Sequence, residues 1–170
     1  MSSSPIEAQN KSNNRTPFVH PGKVGAPLWQ WDGESRSSLL PNVAICHLQW
    51  DWVWQRPQQF LSRLAQNRPV LFVETHRTNT WNSFVKVRDC KSAKNVTIME
   101  IHLPDDRWDD GHFIDNERLR VVKEALKYEN LKHFAEGILW FNDPIAVTAY
   151  AGHLNEALIV YDCMDELTQF

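Results

Sequence analysis

An open, mostly parallel α/β sheet flanked by helices is the fold that the sequence predicts, and three observations carry that expectation. Short apolar runs recur along the chain, at Val43-Ala44-Ile45-Cys46-His47, Val70-Leu71-Phe72-Val73, Ile138-Leu139-Trp140-Phe141 and Ala157-Leu158-Ile159-Val160-Tyr161. Such runs suit strands buried on both faces. Helix-period segments separate them. The first strand, helix and second strand together take roughly thirty residues, the size of a βαβ unit, so the two strands should be parallel.

The elements follow in order. Order begins at Pro41, and the first strand covers 43–47. The loop Leu48-Gln49-Trp50-Asp51-Trp52-Val53-Trp54 leads to Arg56-Pro57, which opens a helix because proline suits the first helical position. Phe60, Leu61, Leu64 and Ala65 form the stripe that faces the sheet, and Asn67 and Pro69 end the helix. Phe84–Val87 alternates as a half-exposed edge strand would, and Val96–Ile101 is a further strand candidate. An acidic loop is expected from Pro104 to Gly111. A helix follows from about Ile114 to Glu129, with Ile114, Leu119, Val122 and Leu126 on its apolar face and a solvated charged face opposite. Gly137 leads into the strand 138–141, a short helix spans about Ile145 to Tyr150, and 157–161 is the last strand. Strands alternating with helices make the sheet Rossmann-like. Residues 1 to about 40, rich in Ser, Asn, Pro and Gly, form a disordered or loosely docked arm ahead of a domain at 41–170.

Composition excludes several function classes. Formal net charge is −3, which leaves no electrostatic footprint for nucleic acid. The three cysteines, Cys46, Cys90 and Cys163, form no C-x-x-C pair, which argues against a disulfide framework or zinc knuckle and for a reducing compartment. No apolar run approaches a membrane span, and the first residues lack a signal-peptide pattern. A cytoplasmic location is expected, compatible with peripheral contact at the inner membrane face. H-E-x-x-H, G-x-S-x-G and the phosphate-cradling G-x-x-x-x-G-K-[ST] are absent, so no metal site, serine nucleophile or P-loop is expected. None of the six glycines lies in the turn after the first strand, where a dinucleotide-binding G-x-G-x-x-G belongs. Trp50, Trp52 and Trp54 fill that turn. This weakens a flavodoxin-like or nucleotide-binding reading.

In open α/β sheets ligands sit at the carboxyl ends of the strands. There the sequence places His47, Trp50, Asp51 and Arg56, then Glu74 and His76, then Asn142 and Asp143, then Asp162, Asp165 and Glu166. Carboxylates, amides and imidazoles exchange hydrogen bonds with hydroxyls, and indoles cover the apolar faces of sugar rings. Eight Trp make the second role well supplied, although Trp equally fills cores. A carboxylate among Asp162, Asp165 and Glu166 can serve as a base for a nucleophilic hydroxyl, and crowding raises carboxylate pKa values. Asp162 or Asp165 can instead cap a helix running through Leu167 and Phe170. His47 can position a substrate or simply bond a neighbouring backbone group.

The segment Cys46-His47-Leu48-Gln49-Trp50-Asp51-Trp52-Val53-Trp54-Gln55-Arg56-Pro57-Gln58-Gln59 resembles the H-x-x-W-D-x-x-x-Q-R-P-Q segment of a family of bacterial glycosyltransferases. These are the teichuronic-acid-type transferases and the transferase domains found beside UDP-galactopyranose mutases. The ending Val160-Tyr161-Asp162-Cys163-Met164-Asp165-Glu166-Leu167-Thr168-Gln169-Phe170 resembles that family's Y-D-C-M-D-E-L-x-x-F. The likeness spans roughly residues 41–170. It implies the N-terminal half of a GT-B fold, in which this lobe binds the acceptor and a C-terminal lobe binds the nucleotide sugar, with no bound metal needed. The implied activity is hexosyl transfer in building cell-envelope polysaccharide, onto a sugar or lipid-linked acceptor. The implied catalytic residues are Asp165 or Asp162. His47, Trp50, Asp51, Arg56, Glu74, Asn142, Asp143 and Glu166 would line the acceptor pocket. The chain stops at Phe170, so the donor lobe is expected on a missing domain or a separate subunit, and the chain alone is expected to be inactive. The competing expectation is a non-catalytic module that binds carbohydrate or a protein partner.

Overall fold

The structure, a computed structural model, describes residues 18–19 and 39–163. Its strands are β1 (Phe18–Val19), β2 (Asn42–Ile45), β3 (Val70–Thr78), β4 (Phe84–Asp89), β5 (Val96–Pro104), β6 (Ile138–Phe141) and β7 (Leu158–Tyr161). Its helices are α1 (Arg56–Leu64), α2 (Gly111–Ala125) and α3 (Val147–Tyr150). The sheet order is β1-β4-β5-β3-β2-β6-β7. β5, β3, β2, β6 and β7 run parallel. β4 is antiparallel to β5, and β1 is parallel to β4. The protein is therefore an open, mostly parallel, Rossmann-like α/β sheet. Apart from β1 and residues 39–40, the proposed N-terminal arm lies outside the described residues.

Alternation along the strands divides the core in two. Ala44, Cys46, Val70, Phe72, Val96 and Ile98 point to the face covered by Leu61 of α1 and by Ala65 just after it. Val43, Ile45, Leu71, Val73, Met99, Ile101, Leu139 and Phe141 point to the opposite face, under Val121, Val122 and Ala125 of α2 and Ala149 and Tyr150 of α3. Each large side chain so buried stabilises the fold by roughly 1.5–3 kcal/mol relative to exposure. Gly137 allows β2 and β6 to begin side by side. A Cβ there would lie 2.6 Å from the Pro41 carbonyl oxygen, which accepts the Ile138 N–H at 2.7 Å.

Several boundaries differ from the sequence reading, each for a local reason. β3 does not end at Val73. It continues in register with β5 as far as Thr78, so Glu74 and His76 lie within the strand, not in a loop after it. α2 starts earlier than Ile114 because the Asp110 carboxylate accepts the Phe113 N–H at 3.0 Å. It ends at Ala125, where the chain tightens through Lys127 N–H to Glu124 O and Tyr128 N–H to Ala125 O. The stretch 104–111 holds a short 3-10 turn at Asp105–Arg107. β7 is apolar yet exposed, at Leu158, Ile159 and Tyr161, because it is the edge strand. β4 alternates as expected, with Val85 and Val87 buried and Lys86 exposed.

The direction of growth fixes where a ligand would sit. From β2 the chain moves outward to β3 and β5, then crosses back to place β6 and β7 on the other side of β2. The strand order reverses between β2 and β6, and the crevice at such a switch point is where open α/β sheets bind ligands.

Candidate functional site at the switch point

β2 and β6 present their carboxyl ends together, locked by the Asn142 N–H donating to the Ile45 carbonyl at 2.9 Å. β7 adds the next position, with the Asp162 N–H donating to the Phe141 carbonyl at 2.9 Å. Asp162 then reaches two partners. Arg56 Nη2 donates to its Oδ1 at 2.5 Å, and Asn142 Nδ2 donates to its Oδ2 at 3.3 Å. Arg56 is mostly exposed at 60% whereas the Asp162 side chain is 10% exposed, so a shielded carboxylate is held by an outer guanidinium. Buried Asp143 accepts the Ile145 N–H at 3.0 Å and shapes the turn after β6. The ends of β6 and β7 and the start of α1 thus join Arg56, Asn142 and Asp162 in one network at the switch point, with Asp143 next to it in the chain.

The loop after β2 packs against β3 and β4 before it reaches the start of α1. Trp50 is its anchor and is 1% exposed. Its ring packs edge-on against Phe72 at 5.0 Å, and its Nε1–H donates to Ser92 Oγ at 2.9 Å. Its backbone N–H donates to Glu74 Oε2 at 2.6 Å. Gln58 Nε2 donates to the Gln49 and Trp50 carbonyls, and Gln58 shares a capping box with Gln55 at the start of α1. Trp50 is therefore a core residue, not the rim aromatic expected from sequence, and buried Glu74 receives the loop instead of lining an open pocket. Trp52, Val53 and Trp54 are exposed, and Trp54 leans on Trp50 at 5.6 Å, edge to face. His47 is exposed beside them.

Asp51 leaves the crevice and pairs with Arg88 of β4 at 2.7 Å. Arg88 also holds Glu100 at 2.7 Å, and Glu100 accepts from His102 at 3.1 Å. Burial alone would raise the Glu100 pKa, but the bonds from Arg88 and His102 outweigh it and leave the carboxyl below its usual range. Burial pushes the His102 imidazole down, against the opposing pull of Glu100. Burial likewise pushes the Cys46 thiol up to about 12, away from the thiolate form. Asp165 and Glu166 lie outside the described residues.

Sequence reasoning missed Arg88, Glu100, His102 and Gln49. A signal existed in two E-x-H triplets, Glu74-Thr75-His76 and Glu100-Ile101-His102, each ending an apolar run. Their register, Glu74 opposite Glu100 and His76 opposite His102, turns the repeat into a polar patch on one sheet face. Among the described residues, no helix is long and apolar enough to cross a membrane. Comparison with known protein families, with characterised proteins and with solved structures gives no match to this chain.

Proposed function

We propose that this chain is the acceptor-side lobe of a GT-B-type glycosyltransferase, and that the crevice between β2 and β6 receives a sugar. The arrangement of Arg56, Asn142 and Asp162 at the switch point carries this reading. A guanidinium, an amide and a carboxylate within one network supply both donors and acceptors for ring hydroxyls. The exposed indoles of Trp52 and Trp54, on a loop pinned by Trp50, supply flat apolar surface for a pyranose. The donor nucleotide sugar would bind a second lobe, and the resemblance of the Q-R-P-Q and Y-D-C-M-D-E-L segments supports that division of labour. Asp162, or Asp165 beyond the described residues, would take the proton of the attacking hydroxyl. Methyl pyranosides titrated into the isotope-labelled chain are expected to move the Asn142 side-chain amide and the Trp52 and Trp54 indole signals, with UDP leaving them in place. Sugars that shift none of these signals, or UDP that occupies the crevice, would defeat the reading.

A second reading has its own support. Asp162 is engaged by two partners at once, which suits a carboxylate that orients a ligand better than one that accepts a proton. A binding module without chemistry would use the same crevice. Release of UDP from UDP-sugars by the gene product that carries this segment separates the two, since a module releases none.

A further inference from the structure

On the α1 face of the sheet, beyond the end of the helix, the two E-x-H triplets build a ladder of rings across three strands. Phe84 of β4 stacks on His102 of β5 with centroids 4.5 Å apart and planes 5° from parallel. His102 stacks on His76 of β3 at 5.1 Å and 19°. With Glu74 ionised and the Gln49 amide nitrogen facing the ring, as the structure places it, donor and acceptor chemistry gives one consistent proton assignment for His76. Its Nε2 lies 2.8 Å from Glu74 Oε1, and a carboxylate only accepts, so Nε2 carries the hydrogen. Its Nδ1 lies 3.2 Å from Gln49 Nε2, and an amide nitrogen only donates, so Nδ1 is the unprotonated acceptor. Gln49 belongs to the loop that carries His47, Asp51, Trp52 and Trp54, and its carbonyl accepts the Trp52 N–H at 3.3 Å.

We propose that the stacked pair His76 and His102 is a proton-operated latch on the loop 47–54. With His76 neutral, Gln49 is held and the exposed indoles stay beside the crevice. With His76 protonated, Nδ1 becomes a donor facing a donor, and a charged ring stacks on a second imidazole already crowded by cations. The charged groups on this sheet face around His76 are Glu74 on its own strand, Glu100 and His102 on β5, and Lys86 and Arg88 one strand further on β4, with Asp51 of the loop paired to Arg88. Glu100 is already shared between Arg88 and His102, and Glu74 is the carboxylate bonded to His76 among the described residues. The ion pair between Asp51 and Arg88 and the buried Trp50 ring do not depend on His76, so protonation loosens the loop locally without unfolding the sheet.

The latch bears on function through the sugar-binding reading, but it is measured without any ligand, so the two fail separately. Hydrogen exchange of the Trp52 amide in the full chain reads the position of the Gln49 carbonyl, which Gln58 also holds, so the change expected is a partial loss of protection. After correction for intrinsic rates, its protection is expected to fall about fivefold between about pH 7.5 and about pH 5.5, while the Val121 and Val122 amides of α2 hold steady. His76→Gln should abolish the step. Gln49→Glu should reverse it, since a carboxylate at this position accepts from the imidazolium. If the wild-type Trp52 amide keeps its protection at the lower pH, the Gln49 amide merely turns its oxygen toward the ring and there is no latch. A step that persists in His76→Gln would overturn the proposal equally.

Discussion

Arg56 Nη2 and Asp162 Oδ1 lie 2.5 Å apart although 106 residues of chain separate them. This contact ties the start of the first helix to the end of the last strand. A double-mutant cycle with Arg56→Ala and Asp162→Asn tests it. Because Arg56 is largely exposed, the coupling in urea unfolding is expected to be modest, roughly 0.5–1 kcal/mol. Strict additivity of the two single changes would show that the contact does not hold in solution.

Trp50 and Trp52 are two residues apart and opposite in burial. Trp50→Ala is expected to destabilise the chain by roughly 3–5 kcal/mol, because it empties a packed site and removes the indole hydrogen bond to Ser92. Trp52→Ala should stay within about 0.5 kcal/mol of wild type while weakening any sugar response. Equal thermal shifts for both variants would contradict the buried position of Trp50.

Two glycines should respond to alanine for different reasons. Gly137→Ala forces a methyl against the Pro41 carbonyl, and a loss of roughly 1–3 kcal/mol is expected as β2 and β6 move apart. Gly152 has φ of 78° and open space around it, so Gly152→Ala should lose only the cost of left-handed backbone, roughly 1 kcal/mol. Denaturant midpoints of the two variants rank these effects, and Gly152→Ala being the more damaging would reverse the assignment.

The His133 ring leans on Phe134 at 4.0 Å and 40°, and burial drives its pKa from 6.5 down to about 4. The folded state therefore prefers the neutral ring, and the unfolded chain binds the proton first. Stability from this group is complete above about pH 6.5 and drains away as pH falls toward 4. His102, lowered by burial, acts in the same sense. Unfolding midpoints at about pH 7 and about pH 5 should differ, and His133→Gln should shrink the difference. An unchanged slope in that variant would place the acid sensitivity elsewhere.

The apolar strands and the helices between them were readable because each strand carries its own periodic signal. Val70–Val73 and Ile138–Phe141 announce themselves residue by residue, and Arg56-Pro57 marks a helix start through backbone chemistry alone. The extension of β3 beyond Val73 was not readable, since Glu74, Thr75, His76 and Arg77 are polar and stay in the sheet only because β5 pairs with them. The site shows the same division. Asn142, Asp143, Asp162 and Arg56 could be gathered by knowing that strands end on a common rim. The burial of Trp50 and the diversion of Asp51 to Arg88 depend on how a loop folds across β3 and β4, and no local pattern records that.

The middle strand of the parallel set, β2, has one neighbour close in sequence and one far away. Its pairing with β3 needs only the intervening helix, whereas its pairing with β6 must wait for most of the polypeptide. Closing short loops costs less entropy than closing long ones. Assembly is thus expected to begin with the β2–α1–β3 unit and finish with β6 and β7. The ligand crevice would be the last part of the molecule to form and the first to be lost under stress.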